Sequence, residues 1–315
     1  MINILILIAG FALLYLGGEL TLKGANSFAK RMGVRPIIIG LTIVALGTTA
    51  PELTVSFIAA LGRESGLAFG NALGSCITNI GLGLGISAVI SAIGVEEETI
   101  KKELPTLIIG TIILFAMSID RHIGQIEGFI LLVSFCCFIY YNVWSSAKDS
   151  KRDNYVPKDS VSRGLGARDF AIIVVGLIGL VAGAKLVVKE AILLAEKFNI
   201  SKIIIGLTIV ALGTSLPEIW LALTSAFKKD QQVSLGNVIG ANIFNTLLII
   251  GLVAVVCPIN LDVKSLYIDF PFLLLLSALL YPLMKSGLKL SRVEGIFLLF
   301  GYVGFIILRI ASGIG

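Results

Sequence analysis

Two glutamates stand deep in apolar runs, Glu52 at the end of Thr48-Thr49-Ala50-Pro51-Glu52 and Glu218 at the end of Thr214-Ser215-Leu216-Pro217-Glu218. Hydroxyls, a proline and a carboxylate within five residues offer one kind of chemistry, a cage of hard oxygens. Proline has no N–H, and its ring clashes with the carbonyl four residues earlier, here Gly47 and Gly213. Carbonyls released on that turn of a membrane helix must find a partner or line a cavity, and a hard cation is such a partner. A pair of ordinary proline kinks is the plain alternative, but duplication of the whole constellation, glutamate included, argues against it. A second wall is offered by Asn71, Ser75 and Asn79, spaced i, i+4 and i+8 on one helix face, and again by Asn237, Gly240, Ala241 and Asn245, with Asn242 adjacent. Small residues and amides also mediate helix packing in membranes. That reading suits Gly70, Gly74, Gly236 and Gly240, whereas the asparagines are read as ligands.

The oxygen set also selects the ion. The single histidine, His122, falls in a loop, and the four cysteines show no ligand spacing and read as small packing residues. Soft and borderline metals favour such ligands; carboxylates, hydroxyls, amides and carbonyls suit Ca²⁺, which takes about 6–8 oxygens. Two glutamates neutralise one divalent ion. Without a cation, two bare carboxylates near the midplane are costly to bury, so replacement of Ca²⁺ by monovalent cations or protons is expected.

The elements that position these residues form a repeat. IIIGLTIVALGT at Ile37–Thr48 recurs letter for letter at Ile203–Thr214, a shift of 166 residues that also carries Gly70-Asn71 onto Gly236-Asn237 and Asn79 onto Asn245. Of the 315 residues, 57% are hydrophobic and 14% charged, against about 25% charged in soluble domains. The apolar runs reach the roughly 20 residues needed for a membrane helix, so the fold class is an all-α membrane protein. Ten spans fit, at about 2–29, 34–61, 67–92, 104–119, 123–145, 168–195, 200–227, 232–257, 266–284 and 292–312. The first apolar run lacks a basic lead and a small-residue cleavage site, and so reads as a membrane helix rather than a removed signal.

The domain organisation is a first five-helix repeat at 1–145, a polar cytoplasmic linker at 146–167 and a second repeat at 168–315. Most of the 25 Lys and Arg residues fall on one side if both termini are extracellular. An odd number of helices per half then inverts the second repeat relative to the first. Inverted repeats with interrupted helices are a transporter signature, with the site at the midplane between the repeats. The net charge of +5 follows from loops and helix ends, so no nucleic-acid partner is implied. Glu19, within the first span, is expected to pair with a nearby Lys or reach water, as ionisable groups in spans do.

GTTAPE (Gly47–Glu52) with GNALGSCITNIG (Gly70–Gly81), and GTSLPE (Gly213–Glu218) with GNVIGANIFNTL (Gly236–Leu247), resemble the two alpha repeats of the cation/calcium exchanger superfamily, specifically its prokaryotic sodium/calcium exchanger branch. The resemblance covers nearly the whole chain. It implies ten helices, ion sites built from these segments, and Ca²⁺ extrusion driven by Na⁺ entry. It also implies that Glu52 and Glu218 bind Ca²⁺ and Na⁺, with Thr48, Thr214, Thr49, Ser215, Ser75, Asn79, Asn245 and the carbonyls of Ala45 and Ala211 as further ligands. Three positions depart from the family pattern. Thr49 replaces a common Ser and keeps the hydroxyl. Ala241 stands where the second repeat commonly has Ser. Asn245 stands where potassium-dependent relatives carry Asp, which argues against K⁺ co-transport.

The expected function is a secondary-active Na⁺/Ca²⁺ antiporter in the cell membrane, working by alternating access. It needs no cofactor beyond its transported ions, and a monomer embedded in the lipid bilayer suffices. A proton-coupled or K⁺-dependent exchanger is the alternative, and a cation channel a more distant one, since freed carbonyls and acids also build filters. The sequence holds no nucleophile–base constellation, phosphate loop or cofactor motif, so an enzyme is not expected.

Overall fold

The computed structural model of the chain describes residues 2–152, 166–197 and 211–313. The structure is a bundle of long helices. Helix α1 spans Ile2–Met32 and ends at Gly33, whose φ of 68° lets the chain reverse. Pro36 then opens α2 (Pro36–Thr48), its missing N–H being one the first turn would leave unpaired in any case. Helix α2 breaks at Thr49 (φ −78°, ψ 3°), and α3 (Ala50–Leu61) departs from it by 47°. Helix α4 covers Ser65–Ile90, α5 residues 99–117 and α6 Gln125–Arg152. Next come α7 (Ala167–Lys197), α8 (Ala211–Thr214), α9 (Leu216–Lys228), α10 (Gln232–Val256), α11 (Ser265–Lys285) and α12 (Arg292–Gly313). Six of these helices are long and apolar enough to cross a membrane, or seven if α2 and α3 are one bent span.

Sequence-equivalent elements repeat their irregularities. The breaks at Thr49 and Ser215 have nearly the same backbone angles. π-Helical turns occur at Asn79–Leu84 and Phe244–Ile249, and at Thr99–Glu103 and Ser265–Asp269. Left-handed residues close the turns after α3 and α9, at Arg63 and Lys229. Helices α4 and α10, whose apolar windows are 72% and 83% buried, form the centre. Helices α1 and α7, each 33% buried, lie at the periphery.

Two contacts fix the relation between the halves. Helices α1 and α7 pack antiparallel on glycines: a Cβ on Gly17 would lie 2.6 Å from the Leu180 nitrogen and 2.7 Å from the Gly176 oxygen, and one on Gly10 would lie 3.3 Å from the Gly183 oxygen. Without a hydrophobic force between helices in lipid, such close backbone approach supplies the van der Waals attraction. The second contact is a pair of two-residue ribbons. β1 (Ile93–Gly94) pairs antiparallel with β4 (Lys289–Leu290), and β2 (His122–Ile123) with β3 (Ile259–Asn260). The connector after α4 thus joins the one before α12, and the connector before α6 joins the one after α10.

Charge pairs secure the connectors. Arg35 bonds Glu96 at 3.1 Å and the buried Glu103 at 2.6 Å, while Arg309 lies 3.3 Å from Asp269 and 3.7 Å from Asp262. Glu19, expected to find a lysine, pairs with Lys228 at 2.7 Å.

Some boundaries differ from the sequence reading. Helix α6 continues through Arg152, into what reads as linker, because no Gly or Pro interrupts it before Pro157. A π turn starts α5 at Thr99, ahead of the apolar run. Cys136 and Cys137 lie exposed on α6 rather than packed, and Cys76 is buried. Residues 153–165 of the linker and Ile203–Val210 of the second copy lie outside the described residues.

Gly17→Ala should lower the thermal unfolding temperature in detergent, since forcing a methyl into a packed contact costs about 1–3 kcal/mol. Gly304→Ala, where a Cβ would meet nothing within 4 Å, should leave it unchanged. Equal melting of both variants would dismiss the glycine contact as a packing determinant.

A candidate cation site at the two helix breaks

Both breaks deliver a glutamate to the centre of the bundle. Each proline sits in the first turn after the break, where it stops α2 or α8 from continuing yet permits α3 or α9 to start. Glu52 and Glu218 follow directly and are fully buried. The two breaks meet, since Ser215, three residues before Glu218, bonds Glu52 Oε1 at 3.1 Å. Among the described residues no Lys, Arg or His is buried, so no fixed cation balances the two glutamates.

The second wall comes from α4 and α10, and the halves exchange partners across it. Thr48 Oγ1 donates to Asn237 Oδ1 at 2.9 Å, and its counterpart Thr214 Oγ1 donates to Asn71 Oδ1 at 3.3 Å. Each break is thereby held to the opposite half's asparagine. Ser215 Oγ, also crossing between halves, donates to Glu52 Oε1 at 3.1 Å, and Ser75 Oγ reaches the same oxygen at 3.4 Å. Thr49 behaves differently from Ser215: its hydroxyl donates to the Ala45 carbonyl of its own helix at 2.6 Å. That carbonyl also accepts the Thr49 N–H at 2.9 Å, and the Thr48 hydroxyl lies 3.3 Å from it. Ala211 opens α8 at the equivalent position.

Several oxygens are left over. Glu52 Oε2, both carboxylate oxygens of Glu218, Asn79 Oδ1 and Asn245 Oδ1 are buried without a hydrogen-bond donor. Buried polar groups in folded proteins are nearly always paired, so five unpaired oxygens in one region call for an electrophile. Among the described residues no group of three or more His, Cys, Asp or Glu is arranged to hold a metal ion. The set is two carboxylates with hydroxyls and amides, which is the chemistry of a hard cation.

A cavity of about 650 Å³ reaches this region between α3, α7 and the break before α9. Ala50, Pro51 and Thr214 line its inner part, and Lys185 and Lys189 line it on α7.

The sequence-derived ligand residues that the structure describes with side chains converge here. Asn71 and Asn237 serve mainly as hydrogen-bond partners of the break hydroxyls, with Asn71 Nδ2 also donating to Ser56 Oγ (3.0 Å) and the Glu52 carbonyl (3.3 Å). Ser56 escaped the sequence reading, although it lies one turn beyond Glu52 on the same face. Asn242 was seen only as adjacent, yet its Oδ1 accepts from Asn79 Nδ2 at 3.2 Å. Gly236 and Gly240 pack against the backbone of α2, as expected of small residues, but a Cβ on Gly70 or Gly74 would meet nothing within 4 Å, so close helix packing does not account for those two.

Comparison with known proteins gives the family. Residues 2–144 and 169–311 match the family model described as sodium/calcium exchanger protein. A sodium/calcium exchanger of Methanosarcina acetivorans is 30% identical, over 97% of this chain and 98% of its own. An inner membrane protein of Escherichia coli is 32% identical, over 95% and 94%. The solved structure of the sodium/calcium exchanger from Methanococcus jannaschii superposes with a TM-score of 0.84 at 32% identity, covering 97% of each chain.

The unequal hydroxyls yield a test. Ser215→Ala removes a donor from a buried carboxylate and should weaken cation-dependent thermal stabilisation about tenfold, since hydrogen bonds to charged groups contribute about 1.5–3 kcal/mol. Thr49→Ala removes only a bond within its own helix and should have a smaller effect. The reverse ranking would contradict the geometry.

Proposed function

The chain belongs to the sodium/calcium exchanger protein family, and from that premise we propose that it exchanges Na⁺ for Ca²⁺ across the cell membrane by alternating access. The observation that carries this is the pair of fully buried glutamates with unpaired oxygens and no buried base. Such a pair is tolerable only while cations or protons neutralise it. One Ca²⁺ can leave only as monovalent cations arrive, and exchange rather than leakage is the outcome.

In this reading Glu52 and Glu218 are the central ligands. Thr48, Thr49, Thr214, Ser215, Ser75, Asn79, Asn245 and the carbonyls of Ala45 and Ala211 complete overlapping Ca²⁺ and Na⁺ sites. Asn71 and Asn237 hold the breaks in place. The Ala45 oxygen, which accepts the N–H and the hydroxyl of Thr49 here, becomes a ligand when that hydroxyl rotates away. A neutral Asn245 leaves two acids in the site and makes K⁺ unnecessary. The ions are cargo, and no cofactor is required.

The architecture we propose is ten spans in two inverted halves, 1–145 and 168–315, joined by a cytoplasmic linker at 146–167. The antiparallel packing of the equivalent helices α1 and α7 supports inversion. So do the ribbons, which join the connectors that inverted halves bring to a common face. With both termini extracellular, the cavity beside Pro51 and Thr214 opens outward. The inner side is closed where Glu19 meets Lys228 and Asn26 meets Asp230. Helices α1 and α7, peripheral and packed on each other, are the pair that moves across the fixed core. A monomer contains a complete site.

Na⁺-gradient-driven uptake of radiolabelled Ca²⁺ into proteoliposomes is the direct test. Uptake that ignores the Na⁺ gradient but collapses with a pH gradient would reassign the protein to proton coupling. Glu52→Gln and Glu218→Gln should each reduce uptake about 100-fold or more, as loss of one member of a buried charge set costs about 3–5 kcal/mol. Both should remain monodisperse on size exclusion. Asn245→Asp adds a third acid and should make uptake respond to K⁺; unchanged cation selectivity would argue against the role given to that position.

A further inference from the structure

Residues 76 and 242 are counterparts under the shift of 166, and they touch each other. Asn242 Nδ2 donates to the main-chain oxygen of Cys76 at 3.2 Å, and Cys76 Sγ lies 3.7 Å from the main-chain oxygen of Asn242. A contact between counterparts lies on the axis that relates the halves. Any difference between the two side chains therefore acts on both halves of the site at once.

Hydrogen-bond polarity propagates from this contact. A main-chain carbonyl only accepts, so Asn242 must turn its NH₂ toward Cys76. Its amide oxygen then faces Asn79, and that oxygen also only accepts. Asn79 must answer with its own NH₂, at 3.2 Å. The Asn79 oxygen is thereby left on the other side of the amide, buried and without a donor. Side-chain amides are ordinarily ambiguous between their two orientations; here one carbonyl fixes two of them. Asn79 lies one turn beyond Ser75, whose hydroxyl reaches Glu52, so the freed oxygen belongs to the glutamate region.

The counterpart amide has no such control. Asn245 is the equivalent of Asn79, but the side chain equivalent to Asn242 is the Cys76 thiol, a weak donor and weak acceptor. Both amide atoms of Asn245 are buried, with no partner stronger than that thiol.

We propose that Asn242 is a positioning residue for cation binding: through Asn79 it commits an amide oxygen, rather than an amide NH₂, to the site. The proposal rests on the exchanger reading of that site. With Asn242 absent, Asn79 is free to present its NH₂, a donor with partial positive charge, to an incoming cation.

In proteoliposomes Asn242→Ala should raise the KM for Ca²⁺ about tenfold, because removing a group that orients a metal ligand typically costs about 10–100-fold in affinity. The maximal rate should stay within about twofold of wild type, a split that general loss of structure would not give. Asn79→Ala should raise KM similarly, and the double variant should be no worse than Asn79→Ala alone. If Asn242→Ala is not recovered as folded protein, Asn242→Ser takes its place with the same non-additivity expected. A wild-type KM in the single variant, or losses that add in the double variant, would overturn the positioning role. Ca²⁺-dependent thermal stabilisation of the detergent-solubilised protein reads the same coupling without transport. Absence of Na⁺-driven uptake by the wild type would instead overturn the exchange reading, and the stabilisation assay would still decide the role of Asn242.

Discussion

Two carboxylates buried side by side with no base between them set the terms for the rest of the molecule. Taking one ionised carboxylate out of water costs several kcal/mol even after relaxation, and a like charge in the same region disfavours ionisation further. A protein that retains both must be stable with mobile counter-charges and rigid enough to hold the cage when they leave. The broken helices meet the first need by stopping the backbone where the glutamates begin. The densely buried α4 and α10 meet the second, since side chains on a packed helix have few alternative rotamers.

Holding the cage is a joint task of the two halves. Thr48 is bound by Asn237 and Thr214 by Asn71, so each break is braced by the other repeat. Ser215 completes the hydrogen bonding of Glu52 in the same crosswise way. Neither half builds a site alone. The glycine contact of α1 with α7 and the two ribbons lie away from this cage and join the halves without touching it.

The repeats keep the same residue at Thr48 and Thr214, Glu52 and Glu218, Asn71 and Asn237, and Asn79 and Asn245, yet surround these pairs unequally. Glu52 accepts from the Ser215 and Ser75 hydroxyls, whereas the hydroxyl near Glu218 is that of Thr48, which is bonded to Asn237. Asn71 is anchored by Ser56 and a carbonyl, whereas the NH₂ of Asn237 is unpaired. The causes are small substitutions between copies: Ser56 against Ala222, Ser75 against Ala241, Cys76 against Asn242. Each removes one donor or acceptor on one side. The result is two carboxylates with different numbers of unpaired oxygens, one on Glu52 and two on Glu218.

Much of this was legible in the chain itself. An exact repeat, paired Pro-Glu breaks and hydroxyls and amides at helical spacing determine that hard oxygens gather in an apolar environment, because periodicity places side chains on faces and a proline leaves backbone carbonyls of the preceding turn without their usual donor. The end of α6 and the start of α5 were not legible, since polar helix formers carry no hydrophobic period. Hydrogen-bond polarity was not legible either. The sequence places Asn79 and Asn242 on neighbouring turns of equivalent helices, but which amide atom faces the site depends on a carbonyl 166 residues away from its donor, brought into contact only when the halves close on each other. Composition and spacing decide which atoms are available to a cation. Tertiary structure decides which of them are already spoken for.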